Sequence, residues 1–245
     1  MMFWGKQKAA IAGFHPLHQA LVWQRGFSAT QPADGWAALI ESLHRHAGLV
    51  RRGKWALPPR TLDVLVPLIL ELCSDLGPEG TLTVATDLRG RDVPGKTGPK
   101  RDLPVRAPVR SATETLTVDP WLRVRAELRD GSILELLVVD RERERRIAKR
   151  NPRGKYKAKR KSKATQVIKV RRRLAKGGES RVPEVPPPAW IGVFVREGER
   201  RSVLATAKLH QIPRSGQEQV DRILTVATEP FRWTPRAGTG QRSVS

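Results

Sequence analysis

The chain has 245 residues, enough for one large domain or two small ones. Hydrophobic residues make up 39%, below the ~45–50% of an average globular domain, so part of the chain is expected as loop, linker or arm. Lys and Arg number 46 against 24 Asp and Glu, a net charge of +22, which favours a negatively charged partner: nucleic acid, anionic lipid or acidic protein.

Several classes are excluded at once. No run approaches the ~18 apolar residues of a membrane span. The most apolar stretch, residues 62–73, is interrupted by Asp63, Pro67 and Glu71. The single cysteine, Cys73, rules out an internal disulfide framework and a cysteine-based zinc site. Its apolar neighbours Leu70 and Leu72 suggest a buried structural thiol.

The N-terminus lacks a secretory signal core. It has no acid before Asp34, and Arg25-Gly26-Phe27-Ser28 resembles a mitochondrial processing site. Transit peptides are rich in Arg and Ser, however, and only Arg25 and Ser28 precede residue 30. The reading is therefore an ordinary helical N-terminus in a cytoplasmic protein. The alternative is mitochondrial import, with residues 1–27 as a transit segment.

The first third reads as helical. One helix is expected over His15 to Gln24. Trp36, Leu39, Ile40, Leu43 and Ala47 recur at helical spacing, with Asp34 as the expected N-cap. Another lies within Leu62 to Leu76, capped by Thr61 and stopped by Gly77-Pro78. Pro67 either kinks it or marks its first turn.

After Gly80 the pattern changes to strands. Thr81 to Asp87 reads as a short one, and Gly90 to Arg110 as a basic loop. Trp121 to Arg129 alternates, with Leu122, Val124, Ala126 and Leu128 on one face. Asp130-Gly131 then signals a two-residue hairpin turn, pairing Arg129 with Ser132. That turn puts Ile133, Leu137 and Val139 on the apolar face, with Glu135 as the polar intruder.

The return strand runs on into charge. Residues 140–150 are almost wholly charged, and Asn151-Pro152-Arg153-Gly154 makes a turn. Lys155, Lys157, Lys159, Lys161 and Lys163 then alternate, sharing one face of an extended strand. Pairing Arg150 with Lys155 sets Glu144 opposite Lys161, Glu142 opposite Lys163, and Leu137 opposite Ile168. Residues 121–173 thus read as a three-stranded meander whose second hairpin projects as a basic ribbon. A disordered basic loop over 141–163 is the alternative, and it would present the same charge.

Residues 177–188 read as a linker whose Pro183 and Pro186 spacing is a spacer rather than a ligand motif. A hairpin is expected from Trp190 to Leu209, then a short helix from Gln217 to Thr228 and a disordered tail from Thr234. The expected fold class is α+β. A helical region spans 1–79, an antiparallel β domain with its arm at about 140–165 spans 80–210, and the short helix and tail span 211–245.

Three constellations bear on chemistry. The segment 141–173 holds 17 Lys or Arg and two acids. The candidate nucleic-acid-binding residues are Arg141, Arg143, Arg145, Arg146, Lys149, Arg150, Arg153, Lys155, Lys157, Lys159, Arg160, Lys161, Lys163, Arg171, Arg172 and Arg173. Such a run neutralises phosphates and releases counterions without reading sequence. Tyr156 is its one aromatic, so base stacking is not expected from this segment.

Gly90 to Thr97 matches the phosphate-loop pattern. That mechanism needs a helix starting at Lys96-Thr97, and Gly98, Pro99 and Pro104 oppose one. The loop instead reads as a secondary basic surface of Lys96, Lys100 and Arg101 beside the ribbon. The histidines lack carboxylates at ligand spacing, so no metal site is expected. No catalytic set stands out and no cofactor is implied.

The functional expectation is a non-catalytic nucleic-acid binder, of DNA or RNA, that grips the backbone. Its rivals are attachment to an anionic membrane surface, assembly onto an acidic protein, and an enzyme on a site formed only in space.

Overall fold

The computed structural model describes residues 2–150 and 155–234. They form an α+β fold. The helical part holds α1 (Met2–Ala12), α2 (Pro16–Trp23), α3 (Ala33–His44), the single turn α4 (His46–Leu49) and α5 (Val66–Ser74), with strand β1 (Gly26–Gln31) between α2 and α3. Then come β2 (Leu82–Asp87), β3 (Arg101–Asp102), β4 (Val109–Glu127), β5 (Ile133–Arg150), β6 (Tyr156–Arg173), β7 (Ile191–Arg196), β8 (Ser202–Leu209) and α6 (Gly216–Arg232). No helix among the described residues is long and apolar enough to cross a membrane.

Local chemistry sets the helix ends. His15 caps α2 by accepting from the Leu17 amide at 3.2 Å, and Pro16 follows where its missing N–H is harmless. Ser215 caps α6 by accepting from the Glu218 amide at 3.1 Å. Helix α3 starts at Ala33 after Pro32, so Asp34 lies in its first turn rather than at the cap. It ends at Arg45, and the chain turns there, so His46 is buried while Ala47 is exposed. Pro67 falls in the first turn of α5, directly after a wide π-type turn over Thr61–Leu65. The Thr61 hydroxyl donates to the Pro58 carbonyl instead of capping.

Seven strands lie in the order β1-β2-β4-β5-β6-β8-β7, all antiparallel, with β3 added beside β4. Strand β1 was not expected from the sequence. It places Gly26, Phe27 and Ser28 in the sheet opposite Asp87, Thr86 and Ala85. Helices and sheet share a main core, in which Trp36, Leu39, Leu65 and Leu68 meet Leu122, Val124, Leu136, Val138 and Ile168, with Ile223 of α6, and a smaller cluster gathers Ile11, Phe14, Val22, Val50 and Trp55.

The β4–β5 turn overturns the predicted register. Leu128 donates to the Ser132 carbonyl, the Gly131 amide donates back to the Leu128 carbonyl, and Gly131 has φ +76°. The loop is therefore three residues, with glycine in the left-handed position, not a two-residue turn. One extra loop residue flips every side chain of the following strand. Leu134, Leu136 and Val138 face the core instead of Ile133, Leu137 and Val139. Glu135 thereby leaves the apolar face, which removes the intruder.

Half-buried Cys73 is less enclosed than expected, though burial still pushes its thiol up to about 11. Helix α6 extends past the predicted end to Arg232, and Thr234 is buried rather than part of a loose tail. The rest of that tail, 235–245, and the predicted turn over 151–154 lie outside the described residues.

Candidate polyanion interface

The outer halves of β4, β5 and β6 run on beyond the core as a three-stranded arm. The third strand was missed. Residues 90–110 are mostly loop, but β4 begins at Val109, well before Trp121. Its signal was the alternation of Thr113, Thr115 and Thr117, β-branched residues that favour a pleated surface. At the arm's root the register shifts between Asp119 and Leu122. Pro120, which cannot donate to the ladder, sits in this bulge.

Arg150 lies opposite Tyr156, one residue from the predicted pairing. Glu144 therefore faces Ser162, not Lys161, and Glu142 faces Ala164, not Lys163. Within β5 and β6 the carboxylates and the lysines of the arm are segregated onto opposite faces.

One face is basic. Arg143 lies opposite Lys163, Arg145 opposite Lys161 and Lys149 opposite Lys157, while Lys159 faces Ile147. Arg141, one step nearer the root, is on the same face and exposed. From β4 this face receives Leu116 and Glu114, its one acid among the described arm residues. Glu114 accepts from Arg145 at 2.6 Å and lies 3.6 Å from Arg143. Arg101 on β3 is registered beside Glu114 and so extends the same row.

The other face carries carboxylates paired with its own arginines. Glu144 accepts from Arg146 at 2.8 Å and from Arg160, and the Arg146 bond leads in holding its carboxyl below the usual range. Glu142 accepts from Ser162 and pairs with Arg91. Thr113, Thr115, Thr117 and Lys100 line the groove between them. Arg150 and Lys155 are exposed near the tip, and Arg153 lies outside the described residues.

Two predicted contacts are placed elsewhere. Arg172 is buried at 6% exposure. It donates to Ser132 at 3.0 Å, to Thr234 at 2.7 Å and to Asp130, and stacks 4.1 Å from the Phe231 ring. It holds the β4–β5 turn against α6 and is not a ligand contact. Burial alone would raise Asp130, but the Ser132 and Arg172 bonds outweigh it and hold the carboxyl low.

Lys96 also turns inward. It lies 3.0 Å from Asp87 and 2.7 Å from Asp119, with its side chain 9% exposed. The Asp119 contact is a close, largely buried ion pair. Burial raises the Asp119 carboxyl, whereas the Arg89 hydrogen bond, with help from Lys96, depresses Asp87. The Gly90–Thr97 stretch is thus tied to the arm's root by an internal lysine, with no helix following it. Asp140 accepts from Arg60 at 2.7 Å and Gln166 at 2.8 Å on an antiparallel strand.

These groups surround a 410 Å³ pocket at the root, walled by Arg25, Arg60, Asp87, Asp119, Trp121 and Asp140. Arg60 stacks on Trp121 at 4.7 Å. Asp87, Asp119 and Asp140 each have a cation within ion-pair distance, so the pocket reads as a strut that fixes the arm's direction.

The histidines assemble in space as the sequence did not show. His18 and His46 meet at 2.9 Å between Nε2 and Nδ1, and Ser42 lies 3.0 Å from His18 Nδ1. Burial first, then the neighbouring His46, lowers His18 to about 4. No group of three or more metal-binding side chains occurs among the described residues.

No protein-family model, no curated protein and no solved structure matches this chain.

Proposed function

We propose that this chain binds nucleic acid, mainly through the phosphate backbone, with the lysine–arginine face of its arm. The supporting observation is the cross-strand pairing of like charges: Arg143 with Lys163, Arg145 with Lys161, Lys149 with Lys157. Like charges directly opposite destabilise a ladder. Glu114 offsets part of that repulsion from a third strand, and nothing on the described arm offsets the rest. A polyanion lying along the face relieves it and gains from counterion release. Backbone contact alone makes the expected binding tolerant of sequence.

The test compares wild type with a Lys157→Gln, Lys159→Gln, Lys161→Gln, Lys163→Gln variant on duplex DNA, duplex RNA and anionic vesicles across a salt series. Six to ten phosphate contacts would show as a ~10³–10⁵-fold loss of affinity between about 50 and 200 mM salt. The four substitutions should reduce the magnitude of the logarithmic salt slope by about three to four. Equal binding by the variant, or no wild-type binding at about 50 mM salt, defeats the proposal. Binding only to vesicles would assign the arm to a lipid surface instead.

A further inference from the structure

The helices cover one face of the sheet and leave the other largely open, although Val139 and Val167 are buried on it near the root of the arm. Its rows follow from the strand register. One row runs Phe194, Leu204, Arg171, Glu135, Arg125, and the next runs Gly192, Thr206, Lys169, Leu137, Arg123. Arg123, Arg125, Lys169 and Lys208 are exposed, and Phe194 is 63% exposed. Arg141 and Lys163 continue the same face into the arm.

We infer that a single-stranded nucleic acid crosses this open face from the arm, with a base stacked on Phe194. The inference rests on the nucleic-acid reading above and adds to it a strand type and a second contact zone. Phe194 is a bare ring on a basic sheet. Gly192, its same-face neighbour along β7, carries no side chain, so the space beside the ring is unobstructed on that side. Every base has a π-face, and aromatics on a cationic surface bind single strands without regard to sequence. Lys169 stands on the neighbouring row to meet the phosphates, and Arg171, 4.0 Å from Glu135, lies on the row of the ring itself. From Arg171 to Lys163 is eight residues along β6, roughly 26 Å at ~3.3 Å per residue, so one strand spans both zones. A duplex keeps its bases stacked inside and gains nothing from the ring.

Fluorescence anisotropy with a homopolymeric single strand of about 16 nucleotides and its duplex would test this, using the full chain at about 50 mM salt. Phe194→Ala should weaken single-strand binding roughly 5- to 150-fold and leave duplex binding unchanged. Phe194→Trp should restore it. Lys169→Glu should weaken single-strand binding with a shallower salt slope. If both Phe194→Ala and Lys169→Glu bind the single strand as wild type does while the arm-lysine variant has lost duplex binding, the open-face inference fails and the arm reading stands. If wild type binds neither form, both fail. If Phe194→Ala changes only a concentration-dependent self-association, the ring belongs to a contact between copies, and the inference is overturned.

Discussion

Strands β4, β5 and β6 each live in two environments. Their inner halves carry Leu122, Val124, Leu134, Leu136, Val138, Ile168 and Val170, all nearly inaccessible beneath the helices. Their outer halves have solvent on both faces, and charge where the inner halves have apolar side chains. A sheet normally needs one covered face to be stable. The arm extends from a ladder already formed at its root, so it needs little stabilisation of its own. Hydrophobic burial sets the inner half, while the outer half is free to be chosen for what it presents. The same backbone therefore serves as fold at one end and binding surface at the other.

The contrast is sharpest if the inner half is cut first. Ile168 is completely buried between the sheet and the helices. Ile168→Ala should cost about 2–5 kcal/mol of stability, read as a lower midpoint in urea with an unchanged slope. A loss below about 1 kcal/mol would mean that the root is not packed as described, since that is less than a typical Ile→Val change costs at its upper end.

An acid limit follows next, from His18. Buried and beside His46, it stays neutral in the folded chain down to about pH 4, whereas an unfolded chain takes up the proton near 6.5. Stability from this group is whole above about pH 6.5 and is lost progressively as pH falls towards about 4. The loss should approach about 3 kcal/mol. Thermal melts of wild type and His18→Gln between those limits should converge as pH falls. Parallel curves would show that another group controls the limit.

The turn comes third. Gly131 holds φ +76° in the three-residue loop, a backbone that costs an L-residue about 1–2 kcal/mol. Gly131→Ala should cost that much, while Gly90→Ala, also at positive φ but with open space around it, should pay the strain with no packing consequence. The pair also marks where the sequence was legible. Asp130-Gly131 announced a hairpin, and the helices over 16–23 and 66–74 and the β7–β8 pair were readable from caps and periodicity. Loop length was not. Two and three residues share the same dipeptide, yet they send opposite faces of β5 to the core. The resolution of Glu135 onto the solvent face was a usable signal, because only the longer loop removes a carboxylate from the apolar row. Strand β1 and the outer part of β4 were hidden because Ser, Thr and Glu alternate without an apolar stripe. The charge of the arm was legible from composition. Its division into a mostly paired face and a mostly unpaired face was not, because a one-residue slip puts Ser162 and Ala164, rather than Lys161 and Lys163, opposite Glu144 and Glu142.

The smallest effect on folding should come from the outer half, and its sign carries the argument. Lys161 and Lys163 lie opposite Arg145 and Arg143. Replacing both lysines by Gln removes two like-charge pairs and no buried contact. Surface changes of this kind usually stay within about 0.5 kcal/mol, and here relief of repulsion should make the change zero or slightly stabilising. The melt should shift upward most at low salt and least at high salt, where screening already weakens the repulsion. Nucleic-acid affinity should fall in the same variant. A residue kept for stability behaves the opposite way. Arg172→Gln, three residues past Lys169 on the same strand, should destabilise, because it leaves Asp130 with its Ser132 bonds alone. If Lys161 and Lys163 prove stabilising at low salt, they are held by partners within the chain, and the arm's basic face belongs to the fold rather than to a ligand.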